Sequence, residues 1–112
     1  MDKRYVYWAD VTRIVDGDTI DANVDLGFNV FHKIRFRLNG IDTMELRDPD
    51  PVKREHAQRA RDRLTELLMG CKILIETRKT DKYGRYLADI YLGDLHVNQQ
   101  MITEGLAVPY MV

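Results

Sequence analysis

The first third of the chain alternates between apolar and polar residues, a period that predicts β-strands. Aromatic and β-branched residues dominate 5–15, and apolar residues take alternate positions through 20–26 and again through 34–38. Turn-forming residues at 16–18 and 27–29 separate these segments. We therefore expect three consecutive strands. The polar positions of the third strand form a basic outer row: Lys33, Arg35 and Arg37.

A helical period follows. Asp50 is suited to cap a helix whose first residue is Pro51, and Gly70 suits the position just after its end. These signals predict a helix over residues 51–69. The apolar residues that recur at helical spacing within it are Ala57, Ala60, Leu64, Leu67 and Leu68.

The last third returns to the strand period. We expect strands at 72–77 and 86–92 on either side of a charged loop at 78–85, then a tight turn and a short strand. A short helix follows, capped near Asn98 and ended by Gly105.

The predicted order is three strands, a helix, two strands and a helix in one domain, 1–112. Five strands with a helix inserted after the third are typical of the OB-fold, a small Greek-key barrel. The fold class is then mainly β with helices (α+β). A generic α+β sheet would give a similar pattern.

Net charge excludes nucleic-acid binding by bulk electrostatics, since 17 Lys and Arg face 18 Asp and Glu, a net charge of −1. Affinity for phosphate would need a local cluster of basic residues, although charge alone favours a solvated face as the explanation of such residues. The candidates for a cluster are Arg35, Arg37, Arg78, Lys79, Lys82 and Arg85.

The single cysteine, Cys71, excludes an internal disulfide, and its apolar neighbours predict a buried, inert thiol. The three histidines, His32, His56 and His96, lack the spacing of a zinc site, so we expect them at the surface or the edge of the core. No apolar run approaches the ~20 residues of a membrane helix. We expect a cytoplasmic protein, or a secreted one if a signal peptide has been removed.

Three short blocks bring together residue types suited to phosphodiester chemistry. They are D-G-D-T at 16–19, R-x-x-x-x-D-T-x-E at 37–45 and D-K-Y-G-R at 81–85. Each block alone is ambiguous, because Asp and Gly fill turns, and no EF-hand spacing follows. Taken together, however, their carboxylates could hold a hard cation and their arginines could grip a phosphate.

These blocks, followed by V-N-x-x-x-I-x-x-G-L-A at 97–107, resemble the thermonuclease family, also called staphylococcal-nuclease-like proteins. The resemblance runs from about Val11 to Ala107. It implies an enzyme, a calcium-dependent endonuclease that hydrolyses DNA, RNA or both to 3′-phosphate products.

The resemblance also implies a role for each matching residue. Asp18 and Asp42 would bind calcium, together with the backbone carbonyl of Thr43, and Glu45 would orient or deprotonate the attacking water. Two arginines would hold the scissile phosphate and stabilise the charge that builds on it: Arg37 and Arg85. Two further residues would contact a neighbouring phosphate of the substrate: Lys82 and Tyr83.

The match departs from the family pattern in four places. Met44 replaces the usual proline, which we expect to loosen the carboxylate loop without abolishing activity, and the loop at 46–50 is short. The sequence ends at Val112, before the third helix that some members carry, which predicts either a naturally short member or a fragment of reduced stability. We expect a monomer, or a weak homo-oligomer whose contact surface substitutes for that helix. Tyr110 is one residue out of register with an aromatic of the family's nucleotide pocket.

A second reading is a non-catalytic OB-type module that binds nucleic acid or protein, as repeated domains of this family do. Those inactive relatives typically lack the carboxylates and arginines that this chain retains. The sequence therefore favours catalysis. It leaves the preference for DNA or RNA open.

Overall fold

The computed structural model describes residues 5–80 and 85–110, with the backbone alone at 78–80. Lys82 and Tyr83 therefore lie outside the described residues. The strands are β1 (Tyr5–Asp16), β2 (Thr19–Asp25), β3 (Phe31–Leu38), β4 (Ile41–Asp42), β5 (Lys72–Thr80), β6 (Tyr86–Leu92), β7 (Leu95–His96) and β8 (Val108–Pro109). The helices of this described part are α1 (Pro51–Leu68) and α2 (Val97–Thr103).

Five of these strands close into a barrel. β1 pairs antiparallel with both β2 and β5, β2 pairs with β3, and β5 pairs with β6. A parallel pairing of β3 with β6, from Phe36↔Tyr86 to Leu38↔Ala88, joins the two ends of this sheet. The predicted five-stranded α+β barrel of the OB-fold class is confirmed, because an open α+β sheet would lack this closing pair.

The barrel interior is apolar, and α1 covers one side of it. Inward-facing residues of β2, β3 and β5, such as Ile20, Phe36 and Ile75, are almost fully buried. Helix α1 adds Leu64 and Leu68 to this core, one helical turn apart. The alternation and the helical spacing in the sequence correspond to these buried faces.

The predicted start of α1 is confirmed. The side chain of Asp50 accepts a hydrogen bond of 2.9 Å from the N–H of Val52, and Pro51 is the first helical residue. The helix ends at Leu68, one residue before the predicted end. Strand β5 continues to Thr80, three residues beyond its predicted end.

Asn98 is not the cap of the C-terminal helix, which corrects the prediction. His96 holds the capping position without a side-chain hydrogen bond, and Asn98 is buried inside α2. Its side-chain amide donates to the carbonyls of Asn39 and Ala88 and its oxygen accepts from the N–H of Ile90, at 2.9–3.0 Å. A polar residue at a helix start is a good cap on average, but here tertiary contacts use the amide instead.

Two further expectations were wrong in detail. Leu26, placed by its period on the buried face of the second strand, is 43% exposed, because β2 ends at Asp25 and the chain turns away from the barrel. Cys71 is only partly buried, and its thiol lies 3.6 Å from the carbonyl oxygen of Leu67. Neither helix of the described residues is long and apolar enough to cross a membrane.

Candidate active site

The site is organised around Arg37, the second-last residue of β3. Its guanidinium places Nη1 3.4 Å from Oδ2 of Asp18 and Nη2 3.2 Å from Oδ1 of Asp42. Nη2 also donates to the carbonyl of Ile41 at 3.1 Å. The Arg37 side chain is only 11% exposed. The fold therefore brings together three of the predicted site residues, which lie on three different segments of the chain.

The turn between β1 and β2 positions Asp18. The carboxylate of Asp16 accepts the N–H of Asp18 at 3.0 Å, and the carbonyl of Asp18 accepts the N–H of Leu38 at 2.8 Å. Thr19 donates its hydroxyl to Oδ1 of Asp18 at 3.1 Å, and Thr43 donates its backbone N–H to Oδ2 at 3.2 Å. These bonds fix both carboxylate oxygens of Asp18 at the end of the barrel.

Gly17 makes this arrangement possible, and the sequence alone gave it only a turn-forming role. A Cβ atom at Gly17 would lie 2.7 Å from Cβ of Ala60 on α1 and 3.1 Å from Cγ2 of Thr43. Because atoms cannot approach that closely, only glycine fits between the helix and the carboxylate loop. In the motif D-G-D-T the glycine is therefore required by packing against α1, while the second aspartate provides the carboxylate beside Arg37.

Burial perturbs the ionisation of Asp18. Desolvation, with a contribution from the neighbouring carboxyl of Asp16, raises the pKa of Asp18 from 3.8 to about 6. Arg37 and the N–H of Thr43 act in the opposite direction but do not cancel the effect. A buried carboxylate that is incompletely compensated is a favourable place for a further cation.

The other two predicted acidic site residues are Asp42, which lies in β4, and Glu45, which lies in the loop after it. This short strand pairs with β8 through Ile41↔Pro109 and Asp42↔Val108. Asp42 is partly exposed and Glu45 is exposed in the loop that follows, next to an exposed Met44. Among the residues that the structure describes, no hydrogen-bonding or ion-pair partner is recorded for the carboxylate of Glu45.

Arg85 is exposed and directly precedes β6. The next residue, Tyr86, is the partner of Phe36 in the parallel pairing, and Phe36 directly precedes Arg37. Extended by one residue, this register sets the backbone of Arg85 level with Arg35, two residues before Arg37 along β3.

Tyr110 belongs to this site, although its alignment with the family aromatic is shifted by one residue. Its ring centroid lies 5.3 Å from the guanidinium carbon of Arg37, within the range of a cation–π contact. Its backbone N–H donates to the carbonyl of Gly40 at 2.8 Å. The pairing of β4 with β8 carries Tyr110 to this place, which spacing in the sequence could not reveal.

The donor atoms available here are oxygens, which suits a hard cation such as calcium. The residues that fit are Asp18 and Asp42, with the carbonyl of Thr43 adjacent in the chain. In the described ranges 5–80 and 85–110, no group of three or more His, Cys, Asp or Glu side chains is arranged to hold a metal ion. Calcium takes six to eight oxygen ligands, so water would have to complete a shell built on two carboxylates.

Comparison with known proteins identifies the family. The family model described as "Staphylococcal nuclease homologue" matches residues 35–112. The chain belongs to this family. The matched span contains Arg37, Asp42, Glu45 and Arg85, whereas Asp18 precedes it.

Several curated proteins are similar over most of the chain. Thermonuclease of Staphylococcus hyicus is 33% identical over 99 residues, which cover 87% of this chain and 56% of the relative. The SPbeta prophage-derived endonuclease YokF of Bacillus subtilis (strain 168) is 37% identical, covering 88% of this chain and 33% of the relative. Protein ParB of Escherichia coli is 32% identical, covering 92% and 59%. The chain thus spans about six tenths or less of the length of these relatives.

Proposed function

We propose that this chain is a calcium-dependent nuclease that hydrolyses phosphodiester bonds of DNA, RNA or both and leaves 3′-phosphate ends. One observation carries the proposal. A nearly buried arginine, Arg37, lies within 3.4 Å of Asp18 and 3.2 Å of Asp42 at the end of the barrel, in a family whose named members include nucleases. Anion-binding and cation-binding groups are thereby in contact, as phosphodiester hydrolysis requires.

Arg37 and Arg85 are the proposed phosphate ligands. The planar guanidinium of Arg37 would bind non-bridging oxygens of the phosphate in exchange for its present contact with Asp42. Its contact with Tyr110 and its low exposure restrict its orientation before substrate binds, which reduces the entropy lost on binding. Negative charge grows on the phosphate oxygens in the transition state, so both arginines would bind that state more tightly than the substrate.

Glu45 is the proposed catalytic base. Its carboxylate is exposed and lies three residues after Asp42. Water is a poor nucleophile, and a carboxylate that accepts its proton or orients it lowers the barrier. The short distance along the chain keeps the proposed base near the proposed calcium ligands.

Asp18 and Asp42, with the carbonyl of Thr43, would hold calcium. When bound, calcium supplies Lewis-acid stabilisation of a phosphoryl oxygen. Lys82 and Tyr83 are proposed to contact the neighbouring phosphate. Because these contacts go to phosphate rather than to base edges, weak base selectivity follows, and DNA and RNA both remain candidate substrates.

The test is cleavage of single-stranded DNA by the wild type, Glu45→Gln and Glu55→Gln, each with calcium and with chelator. Glu55 is an exposed glutamate of α1 and serves as the matched control. We expect wild type and Glu55→Gln to cleave only with calcium, and Glu45→Gln to be slower by a factor on the order of 10² to 10⁴. Products should bear 3′-phosphates, detected by a mobility change after phosphatase treatment.

The same experiment weighs the second reading, a binding module without catalysis. A folded wild type that binds the DNA but leaves it intact with calcium would replace the nuclease proposal with that reading. Equal rates for Glu45→Gln and Glu55→Gln would retain a nuclease but remove Glu45 from its mechanism.

A further inference from the structure

The hairpin formed by β2 and β3 carries an exposed apolar tip. Phe28 is 100% exposed, and its neighbours in this segment, Leu26, Val30 and Phe31, are 43%, 51% and 52% exposed. The parallel pairing of β3 with β6 covers only residues 36–38, so in the described part of the chain residues 31–35 pair with β2 alone. Four exposed apolar residues among six consecutive positions exceed the scattered apolar residues of an ordinary surface.

The conformation of this tip is unfavourable for its sequence. Phe28 and Asn29 have φ angles of 55° and 61°, in the left-handed region. Asparagine tolerates that region, but a bulky side chain there costs on the order of 1 kcal/mol. Backbone hydrogen bonds of 2.9 Å from Leu26 to Val30 and from Val30 to Gly27 close the turn all the same. Neither local backbone preference nor burial accounts for a phenylalanine at position 28.

The hairpin leads directly into the proposed active site. Alternate residues of a strand point to the same face, so Phe31, Lys33, Arg35 and Arg37 form one outward row along β3. At ~3.4 Å per residue this row is about 20 Å long. Its basic positions end at Arg37, which contacts the two carboxylates of the site.

Within this row Lys33 lies opposite an uncharged residue, while Arg35 and Arg37 already pair with carboxylates. Arg35 forms a two-bond pair with Asp21 of β2 at 2.8 and 3.1 Å, and Arg13 of β1 lies opposite Asp21 on its other side. Lys33 is paired across the strands with an uncharged residue, Asn23. The remaining carboxylates nearby are Asp25, which accepts the N–H of Gly27 at 2.8 Å, Asp10, which lies opposite Asn23 on β1, and Asp16, whose charge acts on Arg35. Along β3 itself the row carries three cations and no carboxylate.

We infer that this outward row and the hairpin tip form an extended binding track for single-stranded nucleic acid, leading away from the scissile phosphate. Lys33 and Arg35 would contact successive phosphates, while Phe31 and Phe28 would stack against bases. Basic residues interleaved with aromatic ones are the usual means of binding single strands without base preference. The face formed by strands 2 and 3 is also the one that OB-folds in general use for oligonucleotides.

This inference rests on the proposed nuclease function, because it takes the phosphate at Arg37 as the origin of the track. Nucleic acid is favoured over a second copy or a protein partner because the apolar tip continues into a basic row that ends at that phosphate site. If the track exists, longer substrates should bind more tightly because they reach the hairpin. Cleavage of the shortest substrate, which does not reach the hairpin, should be independent of the hairpin residues.

The test compares a fluorescein-labelled 15-residue oligothymidylate with the dinucleotide dTpdT, which has a single phosphodiester bond. Binding of the 15-mer is measured by anisotropy with calcium in the Glu45→Gln background. The hairpin variants are Phe31→Ser, Phe28→Asn and Lys33→Ser. Two exposed residues elsewhere on the barrel provide matched controls, Trp8→Ser on β1 and Lys72→Ser on β5.

We expect Phe31→Ser to weaken 15-mer binding roughly fivefold or more, as loss of one stacked base does. Lys33→Ser should reduce the slope of log affinity against log salt by about 0.7, the contribution of one phosphate contact in a single strand. Phe28→Asn should weaken the 15-mer complex without lowering thermal stability, because asparagine tolerates the backbone there. Cleavage of dTpdT with Glu45 in place should be unchanged in all hairpin variants.

If the hairpin variants bind the 15-mer with the same affinity as Trp8→Ser and Lys72→Ser, the proposed binding track is wrong. A hairpin variant that leaves 15-mer binding intact but changes the mass measured by light scattering would assign the tip to contact between copies instead. Failure of the wild type to cleave either substrate with calcium would overturn the nuclease proposal, whereas the binding comparison would still decide whether the hairpin holds a single strand.

Discussion

At the scale of single residues, Asp18 shows how the fold adds to what a motif provides. Its side chain is 7% exposed, and its carboxylate lies beside Arg37 and the carboxylate of Asp16. Burial of a charge normally costs free energy unless it is fully paired, and the raised pKa shows that pairing here is incomplete. A carboxylate kept in this state lowers the stability of the folded protein at neutral pH, a cost that the proposed calcium ion would offset.

That cost should appear as a pH dependence of stability in chelator. The pKa of Asp18 is about 6 in the folded protein against an ordinary 3.8, so the folded state binds more protons between these values. The contribution of Asp18 is therefore most favourable below pH 3.8 and is lost as pH rises through about 6, by on the order of 3 kcal/mol in total. Urea unfolding at pH 4 to 7 should show this fall in the wild type and not in Asp18→Asn. Parallel profiles for the two proteins would contradict the assignment.

At the scale of elements, a buried side-chain amide holds α2 against the barrel. Asn98 in α2 bonds to Ala88 and Ile90 of β6 and to Asn39 in the turn that precedes β4. Arg63 of α1 pairs with Glu104 at the end of α2 at 2.8 and 3.1 Å, but at the surface, where such pairs contribute little. The buried amide therefore determines the position of α2 and supports the turn that leads to Asp42.

Replacing Asn98 with Ala should lower the free energy of unfolding by about 2 to 4 kcal/mol, because the N–H of Ile90 and the carbonyls of Asn39 and Ala88 would lose their hydrogen bonds to the amide. The control is Gln99→Ala, an exposed neighbour in the same helix, which should change stability by less than about 0.5 kcal/mol. The measurement is the free energy of unfolding in urea. Equal effects of the two substitutions would show that water or a shifted backbone replaces the amide.

At the scale of the whole molecule, barrel closure and helix packing together assemble the site. The parallel pairing of β3 with β6 sets Leu87 beside Arg37, and the turn at Gly17 is pressed between α1 and the carboxylate loop. Interiors are close-packed, so a contact of this kind transmits strain directly to the loop that carries Thr43.

A double-mutant cycle on Gly17 and Ala60 tests this contact. Gly17→Ala should destabilise the protein by about 1 to 3 kcal/mol, because its Cβ would lie 2.7 Å from that of Ala60. Ala60→Gly should itself cost about 1 kcal/mol from helix propensity. The double variant should lose less than the sum, because removing Cβ of Ala60 relieves the closest contact, although Thr43 remains near. Additive losses would mean that the turn, rather than the helix, moves aside.

The fold was predictable in outline because local periods reflect burial. The alternation in β2 and β3 and the spacing of Leu64 and Leu68 follow the faces that pack inward. Asn98 was misassigned because its amide bonds to residues up to 59 positions away, which no local signal reports. Leu26 was misassigned because period alone does not say where a strand leaves the barrel.

The order of the barrel strands and the two helices, the family, and the residue types suited to phosphate and calcium followed from the sequence, since these depend on local period and on motif content. The short strands β4 and β8 did not, because two residues carry no period. The tertiary structure decided that Asp18, Asp42 and Arg37 touch, that Tyr110 lies over Arg37 and that Gly17 has no room for a side chain. It also decided that the basic row of β3 runs from an exposed tip into the site. These depend on which distant segments the barrel brings together, and closure of a sheet is a property of the whole chain rather than of any stretch of it.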